Sequence, residues 1–362
     1  MPEQTVSVVI PAYNAAATID ATLLSVRRQT HQALEVVVVV DGATDDTATL
    51  ARRHGAEDPR VRVLVMRNGG VAAARNAGAR IATGAFIAPI DADDLWHPDK
   101  VRRQLAVFAA GGPRMGCVYS PFRVIDMEDA VIFTAPRPTF SGPLFLRSLY
   151  FNFVGNGSGL MIRREAFVDV GGYEPGLRAM GLEGAEDRLI QILIARRWLT
   201  GVAADYLVGY RRHRNAMSAN FDRSLRSSMA ALDIVARRHP ETPPRHLRRA
   251  RAVMQVRMAL KRLRAAPGLS SRAALFYALR ASRGLTRRFA PEPLLGASFL
   301  DCDPGQGPRP WSDGTLREVM RRLADEDRAF FHACAADPSQ PAPEDATAAP
   351  VTPGAAMIAP PP

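Results

Sequence analysis

Along the first hundred residues the apolar positions alternate between two periods. Val6 to Ile10 is a short β-branched run stopped by Pro11, and the stretch after it carries Ile19, Leu23, Leu24 and Val26 at helical spacing. Leu34 to Gly42 is a nearly unbroken valine run, the pattern of a strand covered on both faces. A helix over "TDDTATLARRHG" with Asp45 or Asp46 as its N-cap, a strand at "VRVLV", a helix at "VAAARNAGARIATG" and a strand at "AFIAPID" follow. Short connections between alternating strands and helices predict a mostly parallel sheet with helices on both faces.

Beyond residue 112 the pattern loosens. A strand is expected at "GCVYSPFRVID", a small-residue stretch at "VGNGSGLMI", a helix at "EDRLIQILIARRW" and a strand pair near "GVAADYLVGYRRHR". Residues 221 to about 290 read as basic amphipathic helices, and 291 to 335 as a mixed, acidic piece with one helix. From Asp337 the Pro/Ala-rich composition predicts disorder. The expected organisation is a domain over 1–220, a mainly helical extension over 221–335 and a tail over 336–362.

Composition changes this picture in two places. The net charge of +11 is uneven: residues 1–220 hold 25 Arg and Lys against 22 Asp and Glu, whereas 221–290 hold 17 against 3. Since 45 of the 47 basic residues are arginine, an individual arginine carries little functional weight by itself. Cys117, Cys302 and Cys334 are scattered, odd in number and without CxxC spacing, which points to a reducing, cytoplasmic setting. No apolar run approaches the roughly 20 residues of a spanning helix, and no basic segment precedes "TVSVVIPAYN", so neither a transmembrane segment nor a signal peptide is expected.

The candidate chemistry lies at the strand ends, where ligands of such sheets collect. Tyr13 and Asn14 follow the first strand, Asp41 ends the second, and Asp91, Asp93 and Asp94 crowd together after the fourth. Clustered carboxylates repel one another unless a cation lies between them, and a hard divalent ion takes such oxygens together with substrate phosphates. The alternative is that Asp93 and Asp94 are solvated loop acids, with Asp94 capping the helix that starts near Pro98.

Taken in order, "VSVVIPAYNAAATIDATLLSVRRQT", "EVVVVVDGATDDT", "NGGVAAARNAGARIATGAFIAPIDADDLWHPDK", "GSGLMIRREAFVDVGGYEP" and "EDRLIQILIARR" resemble family 2 of the inverting nucleotide-sugar glycosyltransferases, over residues 5 to 215. The resemblance implies an α/β GT-A fold, a mostly parallel central sheet flanked by helices, here with a C-terminal helical extension. It implies that Asp91 and Asp93 hold Mn2+ or Mg2+ on the diphosphate of the donor, that Ala92 between them lies against the nucleotide sugar, and that Pro11, Ala12, Tyr13 and Asn14 line its base and ribose. Asp41 would accept a hydrogen bond from the base, as uracil offers, and Arg75 would lie by the phosphates. Asp187 would be the catalytic base that takes the acceptor proton. Trp96, Gly157, Ser158 and Glu186 fall on the acceptor side, and His213 completes the metal shell or meets the diphosphate. For several of these a plainer reading stands beside the functional one: Tyr13 covering the sheet end, Asp41 in a turn, Arg75 on a solvated helix face, Trp96 packing the fold, and Glu186 with Asp187 complementing a helix dipole.

The family's acceptors range over glycans and lipid-linked sugars. The basic segment 221–290 would either pack on the catalytic domain with its arginines in water or lie on an anionic membrane surface, peripheral to the inner face. A competing function is a non-catalytic GT-A-like protein binding nucleic acid or anionic membrane through this segment; the intact acidic constellation argues against it, and few aromatic residues and the lack of a nucleic-acid-binding fold motif argue against nucleic acid.

Overall fold

The computed structural model describes residues 4–135, 140–213, 221–265, 323–324 and 326–332. The tail 336–362, most of the expected extension beyond 265, and Cys302 and Cys334 lie outside the described residues.

The strands β1 (Val6–Ala12), β2 (Leu34–Asp41), β3 (Val61–Met66) and β4 (Phe86–Pro89) run parallel and are linked by helices α1 (Ile19–Arg27), α2 (Thr47–Glu57) and α3 (Val71–Ile81). Continuing the sheet past β4 are β9 (Leu160–Arg163), antiparallel to both its neighbours, β6 (Met115–Tyr119) and β10 (Leu199–Val202). The order is β10-β6-β9-β4-β1-β2-β3, so the chain leaves β1 for β2 on one side and returns to β4 on the other. That reversal opens a crevice beyond the carboxyl ends of β1, β2 and β4.

Both faces of this sheet are covered, which explains the valine runs. Val9, Val37, Val39 and Ile87 enter one apolar cluster, while Val8, Ile10, Val36, Val38 and Ala88 enter the other. Helix α3 lies directly on β1, because a Cβ on Gly78 would stand 2.5 Å from Val9 Cγ1.

A second sheet orders β5 (Leu95–Trp96), β11 (Val208–Arg211), β7 (Phe122–Ile125) and β8 (Val131–Thr134). Two expectations are corrected here. The single strand expected over 116–126 is two strands in different sheets, divided at Pro121, which has no N–H for a ladder. The expected pair near residues 201–214 does not pair: β10 joins β6, and β11 joins β5 and β7.

The remaining helices are α4 (Lys100–Gly111), α5 (Phe145–Tyr150), α6 (Arg164–Asp169), α7 (Gly176–Ala179), α8 (Glu186–Ala195), α9 (Phe221–Arg238) and α10 (Pro244–Ala265). Leu225, Leu232 and Val235 of α9, with Leu247, Ala250 and Met254 of α10, belong to the same buried cluster as Leu189 and Ile190 of α8. The start of the basic segment thus packs on the sheet domain and shares its core. Among the described residues no helix is long and apolar enough to cross a membrane.

Candidate active site

The loop after β4 separates its three aspartates instead of massing them. Asp91 accepts a hydrogen bond from Arg75 Nη2 at 2.5 Å and keeps a quarter of its side chain exposed. Asp93 pairs with His213 Nε2 at 2.9 Å and is similarly open. Asp94 is fully buried: Ser158 Oγ donates to its Oδ2 at 2.5 Å and the Arg211 N–H to its Oδ1 at 2.9 Å. The alternative of Asp94 as a solvated acid or helix cap is therefore excluded, and the residue preceding α4 is Asp99. Burial drives the Asp94 carboxyl well above the usual range, with the charges of Asp93 and Asp91 adding to it. Asp91 is also raised, first by its surroundings, against the pull of Arg75.

Arg75 lies inside the protein, on neither a solvated helix face nor an open phosphate site. It is 2% exposed, and its second terminal nitrogen donates to Glu186 Oε1 at 3.2 Å, so one guanidinium ties the β4 loop to the start of α8. Gly157 makes room for it, since a Cβ there would stand 2.6 Å from Arg75 Nη2. Glu186 is 5% exposed and accepts the Gly184 N–H, which also bends the chain into α8. Next to it Asp187 is half-buried, and burial, then the Glu186 charge, push its carboxyl up to about 7.

At the other end of the crevice Tyr13, the residue after β1, is 55% exposed, while Pro11 is half-buried and Ala12 buried. Asn14 adopts φ 48°, a left-handed conformation tolerated by asparagine, and accepts the Thr44 N–H at 2.8 Å. Asp41 takes the place its turn reading describes. Only 3% exposed, it accepts the Gly69 and Gly70 N–H groups at 2.6 and 2.8 Å and so fixes the turn into α3. Asp45, and not the N-cap Asp46, bonds the Thr47 N–H and Oγ1 and reaches back to the Ala16 N–H. Gly69, Gly70, Glu174, Arg178, Glu183 and Glu186 line a small, partly open hollow between the start of α3 and the start of α8.

The expected acceptor-side residues are corrected in part. Trp96 is fully buried, donates from Nε1 to the Ser158 carbonyl and carries the Lys100 ammonium 3.8 Å from its ring centre, so it packs the fold. Ser158 is also fully buried and Gly157 is buried; Ser158 accepts the Asp91 N–H at 3.0 Å while donating to Asp94. Both support the loop from beneath, and Ala92, 6% exposed, presents its carbonyl to Thr18 and Thr22 instead of its side chain to the crevice.

Tyr173, which the sequence did not single out, belongs to the site. Its ring centre lies 5.2 Å from the Arg75 guanidinium. The only signal for it was the "GGYEP" stretch itself, where Gly171 and Gly172 take positive φ.

Among the described residues no three His, Cys, Asp or Glu side chains form a ready cage for a metal ion. Asp91 and Asp93 nevertheless each leave carboxylate surface toward the crevice, a donor set of hard oxygens that suits Mg2+ or Mn2+ when further ligands come from a bound phosphate.

The family model described as Glycosyl transferase family 2 matches residues 7–171. Chondroitin synthase of Escherichia coli is 39% identical over 127 residues, covering 35% of this chain and 18% of that protein. The chain spans less than a fifth of the length of the first curated relatives it matches. Among solved structures, S. aureus TarS 1-349 in complex with UDP-GlcNAc aligns with a TM-score of 0.57 at 15% identity, covering 91% of this chain and 90% of that one. The mannosyltransferase PcManGT of Pyrobaculum calidifontis, in complex with GDP-Man and Mn2+, aligns with a TM-score of 0.53 at 20% identity over 91% and 84% of the two chains. Through residues 7–171 this chain is similar to glycosyl transferase family 2, and its strand order and structural neighbours give it a GT-A-like α/β fold.

Proposed function

We propose that the protein transfers a glycosyl group, with inversion, from a nucleotide-diphosphate sugar to an acceptor hydroxyl. The observation that carries this reading is the Arg75 bridge, which sets the Asp91 loop and the Glu186–Asp187 pair on one crevice. Tyr13 and Asn14 receive the nucleotide, with UDP the first choice of base. Asp91 and Asp93, with His213, would hold Mn2+ or Mg2+, and the chemistry such an ion supplies is neutralisation of charge on the leaving diphosphate. Asp187 is the base. A carboxylate whose pKa is near 7 accepts the acceptor's proton while remaining ionised in much of the protein at neutral pH. Glu186, held by Arg75, keeps the start of α8 in place.

A glycan or lipid-linked hydroxyl is the acceptor in this reading. The exposed arginines of α9 and α10 offer a peripheral contact with an anionic membrane surface at its cytoplasmic side. Salt-sensitive sedimentation with anionic vesicles, absent with neutral ones, checks that contact.

The test of transfer uses UDP-N-acetylglucosamine and GDP-mannose with Mn2+, water serving as acceptor. One of them should raise the melting temperature and release its nucleoside diphosphate, and Asp187→Asn should keep the thermal shift while losing the release. No shift and no release with either donor would count against the reading; full release by D187N would remove Asp187 from the base role.

A further inference from the structure

Tyr173 is 2% exposed, yet its hydroxyl has no hydrogen-bond partner among the described residues. Leaving a buried hydroxyl unsatisfied costs about 1–3 kcal/mol, and native proteins keep few such groups without a use for them. The backbone around it is built to hold that position. Asn76, the residue after Arg75 on α3, accepts the Tyr173 N–H at 2.8 Å and donates to the Tyr173 carbonyl at 2.7 Å. Gly172, at φ +75°, precedes it where a Cβ would stand 2.7 Å from Asn76 Oδ1, and Phe167 packs edge-on against the phenol ring at 5.8 Å. The ring is therefore fixed beneath Arg75, whose Nε is likewise without a partner.

The charges acting on the phenol are those of the active site. Burial is the largest influence and raises its pKa, Arg75 opposes that, and Asp187, Glu186 and Asp91 reinforce it. The same Arg75 that covers the ring bonds Asp91 and Glu186, and Asp187 follows Glu186 in the chain, so the protonated hydroxyl is available as a donor beside the acids at the start of α8.

We propose that Tyr173 is a positioning residue for the transfer step: its hydroxyl donates to the Asp187 carboxylate when donor and acceptor occupy the crevice. The inference rests on the glycosyl-transfer reading above. Asp187 Oδ1 already accepts the Arg188 N–H at 2.6 Å, and the added bond from Tyr173 fixes the rotation of the carboxylate so that it meets the acceptor hydroxyl. When that hydroxyl attacks, its proton passes to Asp187, the electrons of the breaking glycosidic bond leave with the diphosphate, and Tyr173 keeps its own proton.

Tyr173→Phe tests this, because it removes only the oxygen. Loss of one hydrogen bond to a charged group is expected to lower kcat for nucleoside diphosphate release roughly 10- to 100-fold. KM for the sugar nucleotide and its thermal shift should be unchanged. The melting temperature should stay or rise, since the hydroxyl has no partner to lose in the free protein. Unchanged kcat would overturn the proposal, and so would a lower melting temperature at any rate, which would give the hydroxyl a structural partner. Wild-type protein that releases no nucleoside diphosphate would instead remove the transfer reading itself. An active wild type matched by an equally active Y173F sinks only the role of Tyr173.

Discussion

Arg75 and Asp91 meet at 2.5 Å in the floor of the crevice, and the same guanidinium holds Glu186 at 3.2 Å. One arginine therefore balances an acid from each half of the site, the β4 loop and the start of α8. The two halves are 95 residues apart in sequence, from Asp91 to Glu186.

Removing that arginine leaves Glu186 buried without its counter-charge. Arg75→Met should cost about 3 kcal/mol of unfolding free energy, the lower end expected for breaking a buried pair because Asp91 keeps some solvent. Urea denaturation measures it. A loss under about 0.5 kcal/mol, the level of an ordinary surface change, would mean that the bridge does not hold the site together.

The raised Asp187 carboxyl makes two pH predictions of fixed sign. Its folded pKa of about 7 exceeds the ordinary value of 3.8, so between these limits the folded protein binds more protons than the unfolded chain. This residue's contribution to stability therefore falls as pH rises from about 4 to about 7, and D187N should melt progressively higher than wild type across that window. As a base, Asp187 works when ionised, so kcat/KM should climb with pH through about 7 and then level off. A profile flat across that range would separate the titration from catalysis.

His213 carries the same sign from a different cause, a favourable bond to its charged form instead of burial. Its hydrogen bond to Asp93 raises its pKa, so the pair's contribution is full below the ordinary histidine value and fades as pH rises through the shifted one. His213→Ala should destabilise the protein more at about pH 5.5 than at about pH 8.5. Equal destabilisation at both values would leave the pair without a charge component.

The strand ends were legible from sequence because a valine run stopped by a polar residue marks both the strand and its terminus. The same pattern puts Tyr13, Asp41 and the aspartates after β4 at one edge of the sheet. What sequence could not supply was which polar groups turn inward. Asp41, Asp94, Arg75 and Trp96 all belong to the expected motifs, yet each is buried by a partner distant in sequence: Gly69 and Gly70, Ser158 and Arg211, Glu186, and the Ser158 carbonyl. Local pattern identifies a polar residue at a strand end; whether it faces solvent depends on long-range packing. The separation of β10 from β11 was hidden for the same reason, since either short apolar run is compatible with either sheet.

Ser158 is where that buried layer is most exposed to test. Its hydroxyl accepts the Asp91 N–H and donates to Asp94, joining the loop's first and last acids through one oxygen. Alanine at this position fits the space but leaves an amide and a carboxylate oxygen, both interior, without their partner. Ser158→Ala should therefore cost about 1–3 kcal/mol in urea denaturation. Threonine keeps the hydroxyl but adds a methyl group to a fully buried site, where overpacking costs about 1–3 kcal/mol of its own. The informative comparison is Asp94→Asn: its Oδ1 still accepts the Arg211 N–H, and Ser158 can rotate to accept from its amide. D94N should then retain more stability than S158A, and the reverse order would place the anchor of the loop on the Asp94 charge and not on the Ser158 hydroxyl.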